Sequence, residues 1–305
     1  MIVCDHLALS KIMKNLTYDD LVVSSGITSM FCETMYANKK ISVLYSRWDV
    51  SYHSTLDDLG IGYCEVSVAE FFNMESFKDV LILIPKSFIE MADKIKEEAV
   101  QFNLIYSGFR VESISEKYID LSLPLTHKIN RPLRISKKVF IKLSRLHVRP
   151  LGYPFKIYRV TDVNQQFNKK VIINSVSKKL LKCLDDYQST QNNMLATVGV
   201  GSYDKFAEFI MEWNNKESIV RKIFLNSLHG GSTTAFRKEF FKSLSKHEIL
   251  GGKAPNEHVK LSNMWESVVK NLNTRNLANV SSLAQEVLNI KNIETNLIED
   301  ILSKL

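Results

Sequence analysis

The stretch DVLILIPKSFIEMADKIKEEAVQFN, residues 79–103, decides how the fold reads. Val80 to Ile84 run without a polar interruption, the pattern of a strand buried on both faces. From Ser87 to Asn103, Phe88, Met91, Ala92, Ile95, Ala99 and Phe102 return to one face at helical spacing, while Asp93, Lys94, Lys96 and Glu97 lie away from it. A buried strand followed by an amphipathic helix is the repeating half of a parallel α/β sheet.

The flanking sequence extends this pattern. On the N-terminal side, LVVSSG (Leu21–Gly26) reads as a short strand, ITSMFCETMYAN (Ile27–Asn38) as a helix and KISVLYS (Lys40–Ser46) as the next strand. Leu56–Gly60 reads as a short helix closed by glycine, and GYCEVSVAEFF (Gly62–Phe72) as a further strand. Gly108–Leu125 alternates as a β-hairpin should, and Pro124 marks a border. The expected fold class is therefore α/β: an acidic Rossmann-like domain over residues 1–125 with a mainly parallel sheet. A strongly basic, strand-rich segment at 126–182 follows, with strands at VFIKL, PFKIYRV and KKVIINSV. Residues 183–305 read as mainly helical, with helices near Lys178–Tyr187, Asp204–Asn215, Ser218–Leu228, Thr233–Leu244, Leu261–Leu272 and Ser281–Leu305. The chain has no internal repeat and no low-complexity tract.

The layout of the first 125 residues is similar to that of class I S-adenosylmethionine-dependent methyltransferases. SSGITS lies at the turn after the first strand, Asp49 lies three residues after the second, and Gly108–Leu125 stands for the closing hairpin. The resemblance implies a cofactor turn after the first strand. Two signatures of that family depart: Gly26 is followed by Ile27 and Thr28 without a second glycine, and the strand end Ile84-Pro85-Lys86-Ser87 stands where an Asp-Pro-Pro-Tyr type tetrapeptide would. A nucleic-acid-directed methyltransferase with a degenerate cofactor site is accordingly an alternative reading, and no cofactor is assigned.

With 45% apolar and 24% charged residues over 305 positions, the composition is that of a globular protein, which excludes disordered and collagen-like classes. No window holds eighteen apolar residues, so no membrane span is expected, and the first residues lack the basic start of a secretory signal. Cys4, Cys32, Cys64 and Cys183 stand far apart, as reduced thiols of a cytoplasmic or nuclear protein do.

Charge is the most informative feature. Residues 1–127 hold 11 Lys/Arg against 18 Asp/Glu, residues 128–182 hold 15 against the single acid Asp162, and residues 183–305 hold 14 of each. A net of +14 within 55 residues has three readings: a polyanion-binding surface, an internal interface with the acidic part, or a solvated basic face. The first makes the protein a largely sequence-tolerant binder of RNA or single-stranded nucleic acid and a component of a nucleoprotein assembly. Its contacts are Arg131, Arg134, Lys137, Lys138, Lys142, Arg145, Arg149, Lys156, Arg159, Lys169 and Lys170, with Tyr153 and Tyr158 placed to stack on bases. Partner proteins would use the helical C-terminal region. A non-enzymatic scaffold docking on an acidic partner or an anionic membrane is a further alternative.

No residue set specifies a reaction. GVGSYDK (Gly199–Lys205) lacks the spacing of a phosphate loop, and His229-Gly230-Gly231-Ser232 resembles an oxyanion loop in a chain without a GxSxG nucleophile elbow. His229, His247 and His258 are spaced by 18 and 11 residues, which matches no compact metal motif. Catalytic residues are unassigned, and no metal site is expected.

Overall fold

The computed structural model describes residues 4–36, 38–48, 56–85, 106–122, 133–145, 156–191, 194–230, 233–247, 257–274 and 277–305. Every strand pairing among them is antiparallel, in two sheets. The expectation of a mainly parallel Rossmann-like sheet is thereby overturned.

The correction starts at two adjacent segments whose elements are exchanged. Leu21–Gly26 belongs to helix α2 (Tyr18–Ser25), and Ile27–Asn38 contributes strand β1 (Ile27–Tyr36). Thr17 and Asp20 account for the first. The Thr17 backbone N–H and hydroxyl both donate to Asp20 Oδ2, and the Asp20 N–H donates back to Thr17 Oγ1 at 3.1 Å. This reciprocal cap starts a helix that the β-branched Val22 and Val23 then continue. Gly26 ends it at φ +60°, a backbone that L side chains rarely adopt, and a Cβ there would overlap Lys179. β1 is buried from Ile27 through Cys32, polar Thr28 and Ser29 included. Burial on both faces removes the alternation by which a strand is recognised.

The chain divides into two compact units, each made of two separate stretches. The first comprises Met1–Leu21 and Leu56–Asn168. After α1 (Cys4–Ile12), it holds β3 (Tyr63–Glu65), α3 (Val68–Phe72), β4 (Val80–Pro85), β5 (Tyr106–Ile114), β6 (Tyr118–Ser122), β7 (Leu133–Ser136), α4 (Lys137–Ser144) and β8 (Lys156–Val160). The sheet order is β3-β8-β4-β5-β6-β7. Of the segment read as one strand at 62–72, only β3 is extended, because Ser67 and Glu70 form a capping box that opens α3. β4 is a strand as its apolar run implies, but both its neighbours, β5 and β8, run antiparallel to it. One face of the sheet buries Ile82, Ile84, Phe109, Ile119, Leu121 and Ile157 beneath Phe71 of α3 and Phe140 and Leu143 of α4. The helix expected over Ser87–Asn103 lies outside the described residues.

The second unit comprises Val22–Thr55 and Lys169–Leu305. β1, β2 (Lys39–Trp48), β10 (Met194–Val198) and β9 (Tyr187–Gln191) form a sheet of order β2-β1-β10-β9. Six helices belong to it among the described residues: α5 (Lys169–Leu184), α6 (Gly201–Met211), α7 (Ser218–Gly230), α8 (Thr233–Lys246), α9 (Glu257–Leu272) and α10 (Val280–Leu302). KKVIINSV, expected as a strand, opens α5. Its run continues to Cys183 with Ile172, Val176, Leu180 and Cys183 buried, a helical period that a shorter window does not reveal.

At the centre of this unit lies an ion pair removed from water. Arg237 of α8 donates from Nε to Glu294 Oε2 of α10 at 2.7 Å and from Nη2 to Oε1 at 3.0 Å. Arg237 Nη2 also donates to Tyr203 Oη of α6 at 2.6 Å and to Ser29 Oγ of β1. Its guanidinium carbon stands 5.2 Å from the centre of the Trp265 ring of α9. Burial alone would lower the Arg237 pKa, but Glu294 and Tyr203 outweigh it and hold the group charged. Removing one member of such a pair strands a charge in low dielectric, whereas removing both does not. Glu294→Leu should therefore destabilise the protein by roughly 3–5 kcal/mol, and Arg237→Met/Glu294→Leu by clearly less, as read from urea unfolding. A double variant as unstable as the single one would show that the pair itself stabilises the unit.

Candidate nucleic-acid interface

VFIKL, expected as a strand, lies in helix α4. β7 ends at Ser136, whose hydroxyl accepts the Val139 N–H at 3.2 Å and caps the helix. Phe140 and Leu143 turn inward, and Phe140 stacks on Phe71 at 5.2 Å and 20°. With that face fixed, Lys138, Lys142 and the C-cap Arg145 point to solvent. Their i, i+4, i+7 spacing places them within about 60° of one another around the helix axis. They are the exposed side chains of α4 and its cap, and among the described residues none of the three pairs with a carboxylate. Lys137 is half-buried, its ammonium 5.2 Å from the centre of the Phe72 ring.

Three other expected contacts are occupied from within. Arg134 of β7 lies opposite Asp120 of β6 and grips its carboxylate with two hydrogen bonds, 2.8 and 3.1 Å long. Ser113 adds a third hydrogen bond to the same carboxylate at 2.8 Å. Arg159 of β8 donates to Asp79 Oδ2 at 2.8 Å, and Lys156 pairs with Glu65 of β3. Tyr158, expected to stack on bases, is buried against Tyr63 with the rings edge to face at 5.7 Å. Lys169 and Lys170 are exposed in the first turn of α5. Arg131, Arg149 and Tyr153 lie outside the described residues. The internal acid–base interface and the outward cationic face thus coexist in one segment.

The remaining motifs have structural explanations. Asp186 accepts the Gly201 N–H, so the start of α6 is already met by a carboxylate of the chain itself, and a Cβ at Gly199 would overlap the Asp185 carbonyl. The turn at Gly26, where the methyltransferase resemblance implies a cofactor, is filled by Lys179. Burial, reinforced by Glu294, pushes the Cys183 thiol up to about 12, so it stays protonated at neutral pH. Among the described residues, no cluster of His, Cys, Asp and Glu is placed to hold a metal ion. No helix among them is long and apolar enough to cross a membrane. What the sequence reading missed was the helix that carries the free cations. Its signal was present in Ser136 as cap and Phe140 and Leu143 three residues apart.

No protein-family model matches the sequence, and no curated protein is detectably similar to it.

The Arg134–Asp120 pair has a measurable signature. Hydrogen bonds from Arg134 and then Ser113 hold the Asp120 carboxyl below its ordinary value. Its contribution is therefore present above the unfolded pKa of about 3.9 and is lost as pH falls through the lower folded value. Carbon-detected NMR should find Asp120 titrating below about 3.9, and Arg134→Gln should move that midpoint upward. A midpoint at or above the ordinary value would mean that Arg134 is free for a ligand.

Proposed function

We propose that this protein binds nucleic acid, RNA or another single strand, with little sequence preference, through the cationic face of α4. The observation that carries this reading is that Lys138, Lys142 and Arg145 make up the exposed side chains of α4 and its cap. Lysines in a first helical turn oppose the helix dipole, at about 0.3–1 kcal/mol each when exposed. α4 begins with Lys137 and Lys138, and its first turn holds no acid. Stability of α4 does not account for Lys138, whereas a phosphate backbone does.

Lysine and arginine contacts to phosphate carry no base information, which is why the reading is sequence-tolerant. Tyr158 is withdrawn into the core, so base stacking is not part of this surface as described.

A 30-nucleotide uridine RNA, titrated against the full chain at several salt concentrations, tests the proposal. Lys138→Gln/Lys142→Gln/Arg145→Gln should make the log–log salt dependence shallower by about 2, near 0.7 per lost phosphate contact. Lys138→Glu alone should weaken binding while leaving the melting temperature unchanged or slightly higher, because an acid in the first turn suits the dipole. Unchanged RNA affinity in the triple variant, with its fold intact by circular dichroism, would overturn the assignment.

A further inference from the structure

The cationic face of α4 carries no aromatic ring, but one lies beside it on β6. Among the described residues, Tyr118 is the exposed aromatic side chain, at 43%. It opens β6, and because Ile119 and Leu121 turn into the core, strand alternation sends Tyr118 to the other side. Its backbone is fixed at the β5–β6 turn, where its N–H donates to Ser115 Oγ at 3.1 Å and its carbonyl accepts the Ser115 N–H at 2.9 Å. Across the sheet it lies opposite Ser136, the cap of α4, and the neighbouring Lys117 carbonyl accepts the Lys137 N–H at 2.9 Å. The Arg134 guanidinium stands over the ring, 5.7 Å from its centre, while its two hydrogen bonds to Asp120 hold it there.

We infer that Tyr118 is a base-stacking residue, and that the ligand of α4 is therefore a single strand with unstacked bases and not a duplex. This inference rests on the reading of α4 given above. One cross-strand step to Ser136 and two residues of chain separate Tyr118 from Lys138, which keeps their Cα atoms within about 13 Å. A strand whose phosphates lie along α4 can thus lay a base on the ring. Bases inside a duplex are stacked on one another and present only their edges, whereas a single strand offers the face that a ring needs. Charge does not account for this end of the sheet. Glu116 and Lys117 in the turn are both exposed and cancel, and the Arg134 charge is met by Asp120. Arg134 is therefore a positioning residue for the ring. Stacking on it is tolerant of base identity, in keeping with the phosphate contacts of α4.

The experiment titrates the full chain and its Tyr118→Ala variant with the 30-nucleotide uridine RNA and, in parallel, with a 30-base-pair RNA duplex. Affinity for the single strand should fall about 5- to 100-fold in the variant. Its log–log salt dependence should stay unchanged, because the lost ring carries no charge, which separates this effect from that of the α4 variant. Duplex affinity should change less than about twofold, and Tyr118→Phe should bind the single strand as the unaltered chain does, since the ring face and not the hydroxyl makes the contact. Tyr118→Leu, which keeps apolar bulk without a ring, replaces the alanine variant if that one folds poorly by circular dichroism, with the same loss expected. Unchanged single-strand binding in the Tyr118 variant alongside weakened binding in the α4 variant overturns this inference and leaves the α4 reading standing. Unchanged binding in both overturns both. An equal loss on single strand and duplex also overturns it, since stacking on an unpaired base would not produce that pattern.

Discussion

The position of β8 between β3 and β4 governs which charges the first unit can present. β8 carries Lys156 and Arg159, and its antiparallel register sets it beside strands from the acidic part of the chain. Tyr158 lies opposite Glu65 on one side and Leu81 on the other, so its ring is closed in while Lys156 and Arg159 reach Glu65 and Asp79. The pairing of β7 with β6 does the same for Arg134 and Asp120. These exposed ion pairs add little stability individually. Their larger effect is to neutralise three cations of the basic segment across neighbouring strands and to support the strand register.

Among the described residues of the basic segment, the exposed cations outside these pairs lie on helices or at their caps. α4 is held by Phe140 and Leu143 and capped by Ser136, and α8 by Phe240, Phe241 and Leu244. In both, the buried face determines the exposed one, because a helix 3.6 residues per turn has no freedom to rotate once its apolar stripe is seated. The solvent sides of the two helices share a feature that mixed-charge helices such as α9 and α10 lack: their exposed charged side chains are all cationic over the described positions. Local electrostatics therefore distinguishes these surfaces better than any total does.

The second unit is built around the Arg237–Glu294 pair, which joins α8 and α10 to Tyr203 of α6 and Ser29 of β1. A buried pair is a weak source of net stability but tolerates few alternative packings, because every arrangement that separates it leaves a charge unpaired. It also accounts for a polar residue, Ser29, in the middle of a buried strand, and hence for the difficulty of recognising β1.

Certain features were legible from the sequence alone. The apolar run at Val80–Ile84 is a strand, the alternation after Gly108 is a hairpin, the amphipathic patterns at Ser218–Leu228 and Leu261–Leu272 fall within helices, and that at Ser281–Leu305 is helical as far as Leu302. Each rests on local periodicity, which a chain displays before it folds. Strand direction is not a local property. It depends on which segments meet, and here distant segments meet. β1 and β2 join β9 and β10 across more than 130 intervening residues, and β8 joins β3 across 90 and β4 across 70. The same long-range pairing redistributed the charge. Segments of −7 and +14 along the chain become compact units of +1 and +6 once the acidic and basic stretches share a sheet. The sequence by itself determined that cations are concentrated in the middle of this protein. Only the tertiary structure decided which of them face water, because ion pairing between strands and the rotation of a helix about its buried face are set by contacts far apart in the chain.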